Sequence, residues 1–238
     1  MIISTPCARA IDILIYDLGG SYAAMTLRER QRQKKLEKKK KKLQLVKKTG
    51  SMGFGSIITA ASYAKYPIYK WLVPSGLFET GLGTIIATRR PPSGEIAVSA
   101  FVVDVFCLGV KNALFKVAGE EAYHNTIKPR LVETHEGQHF ENTHPSCVRK
   151  IIEGAVDYAD ELGFSPHPDY NSAKVIFGDI DAGVCPVKYV FGQEGMPMYI
   201  RGPNETINQA KKIVDQLDKR CGEGNYHYLL SFDDGIPE

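Results

Sequence analysis

Two stretches of the chain, Gly83 to Arg90 and Glu95 to Leu108, are rich in apolar and β-branched residues, and the turn formers "PPSG" separate them. That pattern predicts a β-hairpin. In its second strand Ile96, Val98, Ala100 and Val102 alternate with Ala97, Phe101, Val103 and Val105. Both faces are apolar, so the strand is expected inside a sheet covered on two sides. "KNALFKVA", ending at Gly119, reads as a helix. The period then changes to three and four: Val148, Ile151, Ile152, Ala155, Val156, Ala159 and Leu162 form one stripe, with Pro145 suited to the first turn and Gly163 as the stop. A second stripe, Ile207, Ala210, Val214, Leu217 and Cys221, follows Asn204 as its expected cap and ends at Gly222.

Shorter signals complete the pattern. Ile57 to Lys65 is compatible with a short helix closed by Tyr66-Pro67, because the residue before proline avoids helical geometry. Lys188 to Phe191 and Met196 to Ile200 flank "GQEG" as a second hairpin, with Pro197 confining the latter strand to an edge or a bulge. "NYHYLLSF" reads as a last strand. These elements do not alternate strictly between strand and helix, which points to an α+β fold: an antiparallel sheet built from two hairpins and a C-terminal strand, with helices on one face. The expected organisation is a leader at 1–24, a basic helical arm at 25–49, a Gly-rich hinge at 50–56, one domain at 57–232 and an acidic tail at 233–238.

The arm changes the electrostatic picture. Residues 28–48 hold twelve Lys and Arg against two Glu, a net +10, while the rest of the chain holds 18 Lys and Arg against 25 Asp and Glu, a net −7. Thr26 and Glu29 have capping-box spacing, and the run lacks Gly and Pro until Gly50. Leu27, Leu36, Leu43, Leu45 and Val46 are too sparse for a coiled-coil seam. Like charges one turn apart, such as Lys34 with Lys38, oppose the helix by about 0.2–0.5 kcal/mol each. A polyanion would relieve that repulsion, so Arg28, Arg30, Arg32, Lys34, Lys35, Lys38, Lys39, Lys40, Lys41 and Lys42 are the expected contacts to RNA or the ribosome. No bulky apolar face accompanies them, which argues against a membrane surface.

No apolar run is long enough for a membrane span, and Asp12 and Asp17 interrupt the N-terminal apolar stretch where a secretory signal would be continuous. The expected location is therefore cytoplasmic. Residues 1–24 look foreign to the rest of the chain, and Met25 is the expected natural start. Cys7, Cys107, Cys147, Cys185 and Cys221 are scattered and contain no C-x-x-C pair, so buried reduced thiols are expected.

One constellation carries possible chemistry. "HEGQH" places His135 and His139 one helical turn apart with Glu136 between them, and this resembles the signature of zinc metallopeptidases. The resemblance covers five residues. It implies His135 and His139 as zinc ligands, Glu136 as general base, and a third ligand from His144, Glu153 or His167. Glu153 and Asp157 fall away from the apolar stripe of their helix. Cys147, at a helix start with His144 nearby, is a further candidate as a nucleophile. Asp104 is expected to hold neighbouring loop amides, since a buried carboxylate needs partners. Asp169, Asp179 and Asp181 fit turn chemistry. Tyr189, Phe191, Tyr199, Tyr226 and Tyr228 could form a stacking surface for single-stranded RNA.

These readings converge on a non-catalytic α+β protein without a cofactor, whose basic arm contacts RNA or the ribosome. The alternatives are a zinc-dependent hydrolase and an adaptor whose body docks a protein partner.

Overall fold

The computed structural model describes residues 60–133 and 139–230. The arm, the hinge, the leader, the acidic tail and positions 135–138 of the histidine motif lie outside them. The fold is α+β, as the pattern predicts. Five antiparallel strands form the main sheet: β1 (Ile68–Pro74), β2 (Leu82–Arg89), β3 (Glu95–Asp104), β4 (Gly109–Gly119) and β5 (Phe140–Asn142), in the order β4-β3-β2-β1-β5. The β2–β3 hairpin is the expected one, paired from Leu82↔Asp104 to Arg89↔Ala97. β1 was not among the expected strands.

β4 corrects the expected helix at 111–118. Asn112 to Ala118 pair residue by residue with β3, Lys111 is bulged where the register shifts, and the burial of "GVKNALFKVAG" is uneven rather than 3.6-periodic. Hydrogen bonding along an already formed neighbour outweighs the weak local preference. After a single-turn helix α1 (Leu77–Thr80) between β1 and β2, helical structure resumes only beyond Gly119, in a run of Glu120–Ala122, a π-helical Tyr123–Ile127 and Lys128–Glu133, together α2.

Helices cover both faces of the sheet, not one. On the first face Trp71, Ile85, Phe101 and Val103 meet α3 (Pro145–Glu161) through Val148, Ile151, Ile152 and Ala155. On the other, Leu72, Ile86, Ile96 and Val98 enclose Tyr123, with Ile127 and Leu131 of α2 against them. The two-sided apolar pattern of β3 thus has two partners. The α3 stripe is buried as its spacing predicts, and Gly163 ends the helix at φ +85.

The C-terminal part departs further from expectation. Lys188 to Phe191 is not a strand. β6 (Met198–Ile200) pairs in parallel with β7 (His227–Leu229), forming a two-stranded sheet separate from the main one. α4 (Ile207–Cys221) crosses between them and buries Ala210 and Leu217. Its cap is Thr206, not Asn204: the Thr206 hydroxyl accepts from the Gln209 amide, and the Gln209 side chain accepts from the Thr206 amide. Ile207, expected on the buried stripe, is exposed.

The thiols also differ. Cys147 and Cys185 form a disulfide across 38 positions of sequence, with Cα atoms 5.0 Å apart, whereas Cys107 is buried and free and Cys221 is free. The bond ties the start of α3 to the short turn Ala182–Val184, and Lys150 Nζ donates to the Cys185 carbonyl at 2.9 Å beside it.

Arg89 joins the sheet to the segment after α3. Its guanidinium is 5% exposed and donates to the carbonyls of Ile176 (2.8 Å), Tyr66 (2.7 Å) and Phe177 (3.0 Å) while lying over Trp71. Burial lowers its pKa, and Asp179 offsets part of that effect. Arg89→Met, which matches the length but has no donors, is expected to cost at least about 3 kcal/mol in urea denaturation because three carbonyls lose their partner. Peptide mapping after alkylation of the unfolded, unreduced protein is expected to label Cys107 and Cys221 but neither Cys147 nor Cys185. The double substitution Cys147→Ser with Cys185→Ser should lower stability by about 2–4 kcal/mol.

Candidate functional site

The polar group nearest to a site in this fold is built where β3 hands over to β4. Asp104 is the last residue of β3 and 7% exposed. Its Oδ1 accepts from the amides of Phe106 and Cys107, both at 2.9 Å, which turns the chain sharply towards β4. This is the loop-holding role expected for it. Gly81, opposite, is at φ +79, and a Cβ there would fall 2.1 Å from the Phe106 ring, so only glycine lets the β2 entry lie against this turn. The Gly81 carbonyl also accepts from the Val105 amide at 2.8 Å.

Beside Asp104, Lys111 reaches from β4 to Glu205, with Nζ to Oε1 at 2.7 Å. The other Glu205 oxygen accepts from the Tyr199 hydroxyl at 2.6 Å and from the Gly202 amide at 3.2 Å. Arg201 Nε donates to the Glu205 main-chain carbonyl at 2.8 Å. The network ties the small parallel sheet to the end of the main one. A cavity of about 210 Å³ opens along it, with Leu82, Phe106, Met198 and Ile200 as its apolar walls and Asp104 and Lys111 among its polar ones.

Electrostatics separate the two carboxylates. Burial raises the Asp104 pKa to about 6, against the opposing pull of Lys111 and the turn amides. Burial also acts on Glu205, but its donors Lys111 and Tyr199 outweigh it and hold that carboxyl below its ordinary value. The Tyr199 phenol is pushed up by burial and by its bond to Glu205. Cys107, beneath the turn, is pushed up by burial and by Asp104, so its thiol stays protonated.

The sequence-predicted site residues are dispersed. His135 and Glu136 lie outside the described residues. His139 is exposed just before β5, and its carbonyl accepts from the Ser75 amide. His144 caps α3, its Nδ1 accepting from the Ser146 amide at 3.3 Å. Glu153 is paired with Arg149 at 2.9 Å on an open cleft of about 430 Å³ that also borders Lys174 and Phe177. His167 accepts from the Asp169 amide at 3.2 Å in a loop. Among the described residues no three His, Cys, Asp or Glu side chains come together in a group that could hold a metal ion. Asp181 caps a turn through the Gly183 amide at 2.7 Å, the turn chemistry expected of it.

Two further candidates are corrected. Cys147 is not a nucleophile, because its sulfur is bonded to Cys185. The five aromatic residues do not make one stacking surface. Tyr199 is fully buried, Tyr189 stacks on Phe78 at 5.3 Å, and Phe191 packs against Tyr158, while Tyr226 and Tyr228 pair elsewhere. Sequence reasoning missed Lys111 and Glu205, since a lysine in a misassigned helix and a glutamate before a helix cap carry no signal of mutual contact. Asp104 in an apolar strand was the one legible member.

No family model, curated protein or solved structure matches this chain.

Asp104 gives a pH prediction. Its pKa in the folded state lies above the ordinary value of 3.8, so its contribution to stability is fully present below pH 4 and is lost as pH rises through about 6. Asp104→Asn retains an oxygen acceptor for the amides of Phe106 and Cys107 and removes the charge. Urea midpoints are expected to show the variant gaining on the wild type between pH 4 and pH 7.5, by up to about 3 kcal/mol.

Proposed function

We propose that this protein contacts RNA, ribosomal RNA included, through the basic segment 28–48, and that its α+β body holds that segment rather than performing chemistry. The observation that carries this reading is the division of charge, +10 in 28–48 against −7 elsewhere. A body of net negative charge repels a phosphate backbone, so attraction is concentrated in the segment. At about 1.5 Å per residue, a helix over 28–48 of the kind its sequence predicts would reach about 30 Å along a nucleic acid. Sparse leucines leave the segment without an apolar face, which favours phosphate over lipid.

No described helix is long and apolar enough to cross a membrane. The Cys147–Cys185 bond bears on the proposed cytoplasmic location, since disulfides persist in oxidising compartments and are reduced in the cytosol. In a reducing cytosol the clip between α3 and 182–184 opens, and the arm's charge is unchanged.

Binding of the full chain to a structured RNA should weaken linearly on a log–log plot against salt, with a slope near −0.7 to −0.9 for each phosphate neutralised. Replacing Lys38 to Lys42 with Gln should flatten the slope by several of those steps. Affinity that ignores salt, or survives removal of residues 25–49, sinks the reading.

A further inference from the structure

Residues 38–78 contain no Asp or Glu, so the cationic character of the basic segment continues along the sequence into the fold, through "SYAKYPIYKW" at 62–71. Tyrosines and lysines are interleaved there, at the end of the main sheet where β1 begins and the β2–β3 turn closes. Tyr63, Tyr66 and Tyr69 are half-buried, Lys65, Pro67 and Lys70 are exposed, and so is Ile68 at 43%. Arg90 joins them from the turn, its amide donating to the Pro67 carbonyl at 2.9 Å.

The cations at this end of the sheet lie over the rings. Lys65 Nζ is 5.6 Å from the Tyr66 centroid, while Lys70 Nζ and Arg90 Cζ are 5.8 Å and 5.5 Å from that of Tyr69. The three other pairs of this kind among the described residues, Arg89–Trp71, Arg149–Phe177 and Lys174–Tyr170, use buried rings. Only the entry strand presents such rings to solvent. Glu120 pairs with Arg90, and Glu95 accepts from the hydroxyls of Tyr63 and Ser93, but neither Lys65 nor Lys70 has a carboxylate partner among the described residues. A base on the ring and its phosphate on the ammonium would use both groups at once, the combination by which proteins hold single strands. Paired nucleotides keep their faces inside the helical stack, so this contact is open only to unpaired ones.

We infer that residues 63–70 form a stacking platform for single-stranded RNA, with unpaired bases on Tyr66 and Tyr69 and phosphates on Lys65 and Lys70. The inference rests on the reading that the basic segment holds RNA and adds the class of RNA selected: the segment supplies attraction to any phosphate backbone, and the platform favours strands whose bases are free to stack. Tyr63 is a positioning residue, since its ring meets Tyr66 edge-on at 5.7 Å and lies against Phe115 at 6.1 Å. His124 Nε2 lies 3.3 Å from the Tyr69 hydroxyl and steadies that ring from the α2 side.

The test uses the full chain, a short oligouridylate as probe and a blunt RNA duplex with the same number of phosphates as its counterpart, at constant salt. The single strand should bind at least about tenfold more tightly, a ratio set by roughly one stacked base. Counterion release favours the duplex, so a preference for the single strand cannot come from phosphate contacts alone. Tyr66→Leu combined with Tyr69→Leu should bring the oligouridylate down to the duplex's affinity while the variant still unfolds cooperatively. In the wild type, an oligouridylate carrying 4-thiouridine should photo-crosslink within the tryptic peptide Tyr66–Lys70. Equal affinity for the two RNAs, a preference that survives in the double variant, or crosslinks confined to other peptides overturns the inference. The crosslink is read on the wild type and stands even if the variant fails to fold. Binding of neither RNA defeats the basic-segment reading and the platform together, whereas salt-sensitive binding of both to the same extent removes the platform alone.

Discussion

Much of this architecture depends on a charge buried without a carboxylate against it. Arg89 sits at the end of β2, and its guanidinium donates to three main-chain carbonyls, two of them from the helical turn Lys174–Phe177 and one from Tyr66. Carbonyls at the end of a helical turn are left without intrahelical donors, so the cation satisfies groups that would otherwise be buried unpaired. In the same step it fixes the segment after α3 onto the sheet and positions the strand entry at residue 66. Trp71, stacked near the guanidinium, donates its indole N–H to the Thr88 carbonyl at 3.1 Å and packs against Phe177. Ser99 repeats the device one strand further on, its hydroxyl donating to the Ala173 carbonyl at 2.8 Å. Polar side chains from strand interiors thus tie down the helical segment that covers them.

The disulfide acts on the same covering layer from its other side. Arg89 holds residues 176–177, Arg149 donates to the Ile180 carbonyl, and Cys147 holds Cys185. The chain from 174 to 185 has little regular structure, and its order comes from these anchors. Beyond it, Gly192 at φ +80 passes over the Tyr158 hydroxyl so closely that a Cβ would lie 2.6 Å from it. An irregular segment thereby reaches β6 and brings Glu205 to Lys111.

The polar network at the β3–β4 turn is a consequence of this arrangement. Asp104 and Lys111 are neighbours because β4 folds back on β3, and Glu205 reaches them because the small parallel sheet abuts the end of the large one. Ionised Asp104 is costly to bury, whereas Glu205, with donors on both oxygens, is comfortable as an anion. Two carboxylates close together in one fold therefore have opposite preferences, and the difference lies in their donors.

Local pattern determined a great deal about this protein. The two-faced apolar strand at Glu95–Asp104, its hairpin with β2, the buried stripe of α3 and the stop at Gly163 all come from spacing, because strand and helix periods are properties of the backbone itself. The separation of a cationic segment from an acidic remainder is likewise a property of the chain alone. Tertiary structure decided the rest. Lys111–Ala118 became a strand because β3 offered a ladder of unpaired groups. β6 and β7 paired in parallel because α4 carried the chain back in the same direction. Cys147 found Cys185, and Lys111 found Glu205, because distant segments were packed together. Partners far apart in sequence leave no periodic trace, so neither the disulfide nor the Asp104 cavity could be read before the fold existed.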